Sequence, residues 1–373
     1  MKFDKLQISP ELKKGLKDLG FKEMFPIQEM AIPVMLEGKN VLGQAKTGTG
    51  KTAAFGVPMI QVLDPEKRAV QGLVLAPTRE LAQQITDDLN SYAKHTKVYA
   101  VAVYGGVSID HQFTELRKGP AIVVGTPGRL IDHMNRGTLN LKDIRMVVLD
   151  EADNMLDMGF IEDIEWILGR TPKNRQMSLW SATIDDRTMR IATQYMSEHE
   201  FINVSRDEIG VTTIKQHYIL VTQKEKTETL LKLIDFYKID RGIIFCRMKI
   251  TVDRLHSEIK RAGYNAEPLH GNNTQARRQQ VLDGFKEGQF NLMIATELAA
   301  RGLDIADVPW IINYDIPMDP SMYFHRIGRT ARAGKKGNAI TLVTTDEEIE
   351  LERIKAMTKI PIDKITLPPS FLF

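Results

Sequence analysis

Lys51 and Thr52 close a loop dense in glycine and threonine, residues 41–52, VLGQAKTGTGKT. Gly43, Gly48 and Gly50 let the backbone turn so that successive amides point inward, making an anion nest at the start of a helix. A lysine at that point reaches the outer phosphates of a nucleoside triphosphate, and a threonine hydroxyl suits Mg2+. The usual first glycine of this pattern is Ala45 here. Further along, Asp150-Glu151-Ala152-Asp153 follows the apolar run 146–149. A carboxylate ending a buried strand beside a phosphate loop is placed to hold Mg2+, and a neighbouring carboxylate orients or deprotonates the attacking water. A Gly-Lys-Thr turn or a charged strand end commonly does no more than face solvent. Together the two segments point to phosphoryl-transfer chemistry.

Such residues need elements to hold them. Short β-rich runs at 41–42, 72–75, 98–103, 122–124, 146–149 and 177–180 alternate with helical patterns. Residues 1–36 look helical, a helix is expected over 53–63, and Leu81, Ile85 and Leu89 mark one face of another over 79–95. Strands separated by helices imply parallel pairing with right-handed crossovers, which is a doubly wound sheet. Ligands bind such sheets at the carboxyl ends of the strands, so the polar motifs that follow the strands should share one rim. A second alternation occupies 216–221, 242–246, 266–269, 291–295, 310–313 and 339–343, without a phosphate loop of its own, and a last helix is expected over 347–357. Between the two lies VSRDEIGVTT, residues 204–213, polar and aperiodic, which reads as a linker. The expected fold is α/β, two tandem doubly wound parallel-sheet domains over 1–203 and 214–373.

The length of 373 residues, 43% of them hydrophobic, suits two buried cores. A net charge of +2 announces no nucleic acid, and the slight basic excess lies in residues 214–373, so any such site must be a local groove. The single cysteine, Cys246, excludes an intrachain disulfide and a cysteine-rich metal site, and its apolar run marks it as a buried strand thiol. No leader-like or membrane-spanning apolar run is present, so a cytoplasmic location is the default. Near the end, Arg326, Arg329 and Arg332 recur at three-residue spacings beside His325, after an expected helix start at 319–320. That spacing puts the three near one helical face, whose plain reading is a solvated basic surface.

With these motifs in order, the chain resembles the DEAD-box RNA helicases of the second helicase superfamily, from Phe3 to about Val343. AKTGTGKT (45–52), PTRELA (77–82), Gly105–Gly106, TPGR (126–129), DEAD (150–153), SAT (181–183), RGLD (301–304) and HRIGRTAR (325–332) all fit the family spacing. The resemblance implies two RecA-like domains and RNA-stimulated ATP hydrolysis coupled to domain closure. It also implies single-strand RNA binding independent of base sequence and local unwinding of short duplexes. Phe21 would stack on adenine, with Phe3 as the family's upstream aromatic, and Gln28 would read the amino edge. Ala45, Thr47, Gly48, Thr49, Gly50, Lys51 and Thr52 would hold the phosphates. Thr52 and Asp150 would hold Mg2+, and Asp304 would contact the ribose. Lys51, Asp150, Glu151, Arg329 and Arg332 would carry catalysis, the two arginines reaching the γ-phosphate from the second domain. RNA would meet Pro77, Thr78, Arg79, Gly106, Thr126, Gly128 and Arg129 in the first domain, and Arg278, Thr296 and Gly302 in the second. Asp153, Ser181, Thr183 and His325 would couple the two activities.

Five positions depart from the family pattern: Met24–Phe25 for Pro-Thr, Asn272 for Asp, Glu297 for Asp, and Ala331 for Gly. The sequence given shows no arginine-glycine tail, so weak and unselective RNA binding by a monomeric core, with room for protein cofactors, is expected. An ATP-gated RNA clamp with little turnover uses the same residues. A DNA translocase of the same superfamily fits the DEAD tetrapeptide less well.

Overall fold

The computed structural model describes residues 1–366 apart from 46–47, 197, 205–213, 301–304, 306–307, 319, 331–336 and 359–360. The chain divides into two units, Met1–Arg206 and Asp207–Phe373. In the first, seven strands follow in chain order: β1 (Asn40–Gln44), β2 (Gly72–Leu75), β3 (Ala100–Val103), β4 (Ile122–Gly125), β5 (Met146–Leu149), β6 (Gln176–Ser181) and β7 (His199–Asn203). They form one sheet in the order β3-β4-β2-β5-β6-β1-β7, with every pairing parallel.

The second unit repeats the plan. Its strands are β8 (Ile214–Leu220), β9 (Gly242–Cys246), β10 (Ala266–Leu269), β11 (Leu292–Thr296), β12 (Trp310–Asn313), β13 (Gly337–Val343) and β14 (Asp363–Lys364). Their order is β10-β11-β9-β12-β13-β8-β14, again all parallel. Renumbered from its own first strand, this order is identical to that of the first unit. The architecture is duplicated although no sequence repeat is visible.

The two-residue period of a strand explains why these runs are apolar throughout. Val74 and Val148 face one core layer with Phe55 and Ile85. Leu73, Leu75, Val147 and Leu149 face the other with Leu130 and Ile164. In the second unit Ile243 and Phe245 pack with Phe285, while Ile244 and Cys246 pack with Leu255. Cys246 is a buried strand thiol, as its run implied, and burial pushes its pKa up.

Residues 1–36 are not one helical stretch. Ser9 caps a helix at Pro10–Asp18, and Gly20, at φ +79°, ends it. The Phe21 N–H then donates to Leu16 O at 3.0 Å and the Gly20 N–H to Lys17 O at 2.9 Å, a glycine stop that only a residue free to adopt positive φ makes cheaply. A second helix, Pro26–Leu36, starts after the turn. The helix expected over 79–95 ends at Tyr92. Strands β7 and β14 are additions: both are polar edge strands whose sequence carries no apolar run.

Candidate active site

The strand order divides the carboxyl rim of the first sheet. β1, β5 and β6 are neighbours on one side of it, and β2, β3 and β4 on the other. The phosphate loop, the DEAD segment and the SAT turn therefore share one half of the rim. The PTRELA, Gly105–Gly106 and TPGR segments share the other.

On the first half, β1 runs into the loop and the helix Lys51–Val62 leaves it. Gly48 and Gly50 take φ +80° and +88°, so the loop turns at those two, whereas Gly43 lies within β1 and is small because the Trp180 ring packs against it. Lys51 is only 6% exposed. Its Nζ donates to Ala45 O at 3.1 Å and stands 3.9 Å from Asp150 Oδ1. The Ala45 N–H donates to Ser181 O at 2.9 Å, which ties the loop to β6. Asp150 ends β5 and is 3% exposed. Burial pushes its carboxyl up to about 6, against the pull of Lys51. A strand-end carboxylate this short of compensating charge, with Thr52 in the first turn of the adjoining helix, fits a site for a divalent cation. Among the described residues no cluster of three or more acidic, histidine or cysteine side chains forms a closed metal cage. Mg2+ needs none, because it keeps waters and takes the remaining oxygens from phosphates.

Glu151 sits at φ 49°, a left-handed conformation costly for a residue with a Cβ, and it precedes the helix Ala152–Asp157. The Asn154 amide donates to Glu151 Oε2 at 2.7 Å, and the Glu151 N–H donates to Asp150 Oδ1 at 3.0 Å. Asp153 is a latch to the next motif. Its Oδ2 accepts from the N–H groups of Ala182 at 3.1 Å and Thr183 at 3.0 Å and from the Thr183 hydroxyl at 3.1 Å. The Asp153 N–H donates to Ser181 Oγ at 3.2 Å.

Gln28 is not a solvated helix residue, as bulk statistics suggest, but is buried. Its Oε1 accepts the Phe25 N–H at 2.9 Å and its Nε2 donates to Gly50 O at 3.0 Å. One N–H and one lone pair of the amide remain for a ligand. Phe21 is half-buried, edge-on to Phe3 at 5.1 Å and to Tyr92 at 5.6 Å between ring centroids. Thr49 stands half-exposed in the loop, and Thr47 lies outside the described residues.

On the other half of the rim, Pro77 and Thr78 are buried, and Thr78 Oγ1 caps its helix by accepting the Leu81 N–H at 3.3 Å. Gly106 takes φ +85°, and a Cβ there would collide with the Arg79 guanidinium, so Arg79 lies flat against that turn. Arg129 donates from Nη1 to Val107 O at 3.2 Å and to Gln112 Oε1 at 3.2 Å. Arg79, Gly106 and Arg129 thus form one ridge. Thr126 and Gly128 open the neighbouring helix Pro127–Asn135, and Gly128 has open space where a side chain would be. Gln112 escaped sequence reading: it holds Arg129 and also His133, and no motif flags it.

In the second unit, Thr296 ends β11 and Arg278 donates from Nη2 to Ala299 O at 3.3 Å. Arg326 and Arg329 do not share a helical face. The helix Pro320–Ile327 stops before Arg329, and Arg326 is buried in it. Arg326 donates from Nε to Glu297 Oε2 at 2.6 Å and from Nη1 to Asn313 Oδ1 at 3.1 Å. Glu297 therefore spends its extra methylene on reaching Arg326. Arg329 is also buried, and His325 is half-buried on the helix. Gly302, Asp304 and Arg332 lie outside the described residues. A charged network that sequence reading missed surrounds Lys226, which is 1% exposed. Lys226 Nζ pairs with Asp315 Oδ1 at 3.3 Å and Glu347 Oε2 at 3.1 Å, and Arg247 Nη2 pairs with Glu347 Oε1 at 3.1 Å. These residues are scattered in sequence, and only the strand order brings them together.

A phosphate loop and a strand-end aspartate on a doubly wound parallel sheet, followed by a second sheet of the same order, define a tandem RecA-like nucleoside triphosphatase. Residues 25–191 match the family model for the DEAD/DEAH box helicase, and residues 225–334 that for the helicase conserved C-terminal domain. The chain is 48% identical over 366 residues to the DEAD-box ATP-dependent RNA helicase CshA of Bacillus cereus, covering 98% of this chain and 70% of that protein. It is 47% identical to CshA of Geobacillus kaustophilus, covering 98% of this chain and 78% of that one. Among solved structures it resembles S. cerevisiae Dbp5 bound to RNA and ADP BeF3, at TM-score 0.88 and 34% identity over 98% of this chain and 95% of that one. Mss116p bound to ssRNA and AMP-PNP gives the same TM-score of 0.88 at 28% identity, over 100% of this chain and 81% of that one. The chain belongs to the DEAD-box ATP-dependent RNA helicases, RNA-binding enzymes that hydrolyse ATP. Among the described residues no helix is long and apolar enough to cross a membrane.

Proposed function

We propose that this helicase couples ATP turnover to RNA remodelling through the two halves of the first rim, with the second unit completing both. Lys51 and the loop amides hold the phosphates, while Gln28 and Phe21 hold the base. Asp150 and Thr52 hold Mg2+, which when bound neutralises charge on the transferring phosphoryl group. Glu151 positions the attacking water from its left-handed turn, held by Asn154. Arg329 and Arg332 supply the positive charge that the first unit lacks opposite the γ-phosphate, so hydrolysis requires the units to close across the linker at 204–213.

RNA binds the ridge of Arg79, Gly106 and Arg129 with Pro77, Thr78, Thr126 and Gly128, and meets Arg278, Thr296 and Gly302 in the second unit. Backbone amides, hydroxyls and a few arginines suit phosphate and 2′-OH contacts, so recognition is independent of base sequence. Closure on a bent single strand locally separates short duplexes. His325, Ser181, Thr183 and the Asp153 latch couple the two activities, the latch acting within the nucleotide half of the rim.

The observation that carries this reading is the Asp153 carboxylate, which gathers three donors from the SAT turn while Asp150, on the same segment, stands 3.9 Å from Lys51 Nζ of the phosphate loop. The test compares Lys51→Ala and Glu151→Gln. The first is expected to lose ATP binding. The second keeps binding and lowers RNA-stimulated phosphate release by about a hundredfold or more. Hydrolysis at the parent rate by Glu151→Gln would remove Glu151 from its role. DNA stimulating release as well as RNA does would point to a DNA translocase, and RNA retention with negligible release to a clamp.

A further inference from the structure

Phe25 breaks a local rule. It occupies the N-cap of the helix Pro26–Leu36, with Pro26 at the first helical position. That position favours Ser, Thr, Asp or Asn, whose oxygen accepts a backbone N–H of the first turn. A phenyl ring accepts nothing, and the Gln28 N–H donates to the Phe25 carbonyl at 2.9 Å instead. Nor does the ring join a core, for Phe25 is 58% exposed. The residue thus costs the helix a cap and the surface an apolar group, with no compensation inside the fold.

Its position supplies the compensation. The Phe25 N–H is held by Gln28 Oε1 at 2.9 Å, and Gln28 Nε2 holds Gly50 O at 3.0 Å. A Cβ built on Gly50 would stand 2.9 Å from Phe25 Cδ2, so the ring edge lies against the last glycine of the phosphate loop, next to Lys51. An exposed aromatic fixed at the edge of a phosphate nest meets whatever is attached to the phosphates. We propose that Phe25 is a nucleoside-contacting, affinity-determining residue. Its ring gives the base or ribose an apolar wall opposite the Gln28 amide, so binding depends on the nucleoside moiety as well as on the phosphates. This inference rests on the phosphate-loop reading given above.

The test titrates the full chain with ADP and, separately, with inorganic tripolyphosphate, for the parent, Phe25→Thr, Phe25→Tyr and Lys51→Ala. A ring stacked on a nucleoside is worth about tenfold in affinity. Phe25→Thr, which also restores a capping oxygen, is expected to weaken ADP about tenfold and to shift tripolyphosphate less than about twofold. Phe25→Tyr is expected to keep the parent affinity for both. Unchanged ADP affinity in Phe25→Thr, or equal weakening of both ligands, overturns the proposal. If Lys51→Ala still loses both ligands in that case, the phosphate-loop reading stands and only the role of Phe25 falls. Undiminished binding of both by Lys51→Ala would instead sink the reading on which the proposal rests.

Discussion

Asp150 is buried at the end of β5 with its carboxyl pushed up to about 6, so it carries a cost that an ordinary strand end does not. The ordinary value is 3.8, and between the two values the folded protein holds a proton that the unfolded chain has released. The contribution of Asp150 to the stability of the first unit therefore falls as pH rises from about 4 through 6 and levels off above. Asp150→Asn should remove that slope. In denaturant titrations the variant is expected to match the parent near pH 4 and to exceed it by of order 3 kcal/mol at pH 7, while losing activity. A variant no more stable than the parent at pH 7 would show that Lys51 already compensates the charge. Of this residue's environment, the sequence conveyed the strand end and the nearby lysine. It did not convey the distance of 3.9 Å that leaves the pair loose. Glu151 was readable as a carboxylate beside Asp150. Its left-handed backbone was not, because nothing in the residue type announces it.

The elements were legible where burial on both faces made a strand uniformly apolar, as in β2, β4, β5 and β9. They were illegible where burial was slight. β7 and β14 are edge strands with mostly polar sequences, defined by hydrogen bonding to β1 and β8, and in β7 only Ile202 is buried in the core. The arginines near the C-terminal end show the opposite error. Three-residue spacing suggested a shared helical face, but the helix ends at Ile327 and Arg326 turns inward to Glu297. The Asp153 latch belongs to this scale, since it binds a helix start to the end of β6. Asp153→Ala would strand three donors of the SAT turn and the Asn154 N–H, and a loss of about 3 kcal/mol is expected in chemical unfolding. Thr183→Val, which removes one hydroxyl donor and leaves both backbone donors, should cost about 1 kcal/mol. A latch worth less than that would not transmit anything.

Across the whole molecule, two separate cores imply two separable melting events. Lys226→Met tests this, because it leaves Asp315 and Glu347 without their buried cation in the second unit alone. A loss of about 3–5 kcal/mol confined to one calorimetric transition is expected. Broadening or lowering of both transitions together would mean that the units unfold as one. If ATP and RNA favour the same closed state, each must tighten the other's binding by the same factor, and RNA affinity must fall with added salt. Equilibrium titrations of one ligand at saturating levels of the other measure that factor directly.

The repeated strand order has one more meaning. Lys51 opens the helix that follows the sixth strand across the first sheet and faces an aspartate beyond the fourth. Lys226 opens the helix that follows the sixth strand across the second sheet and pairs with Asp315, beyond the fourth. The connection before Lys226, residues 221–225, contains no glycine, and Glu347 gives the lysine a second carboxylate partner. The second unit thus places a lysine at the topological position of the first unit's, with its own carboxylates where the first unit has a loop. One lysine lies beside a glycine-rich loop that can take a phosphate, and the other is held between two carboxylates of its own unit, a fixed strut where the first unit has a receptor.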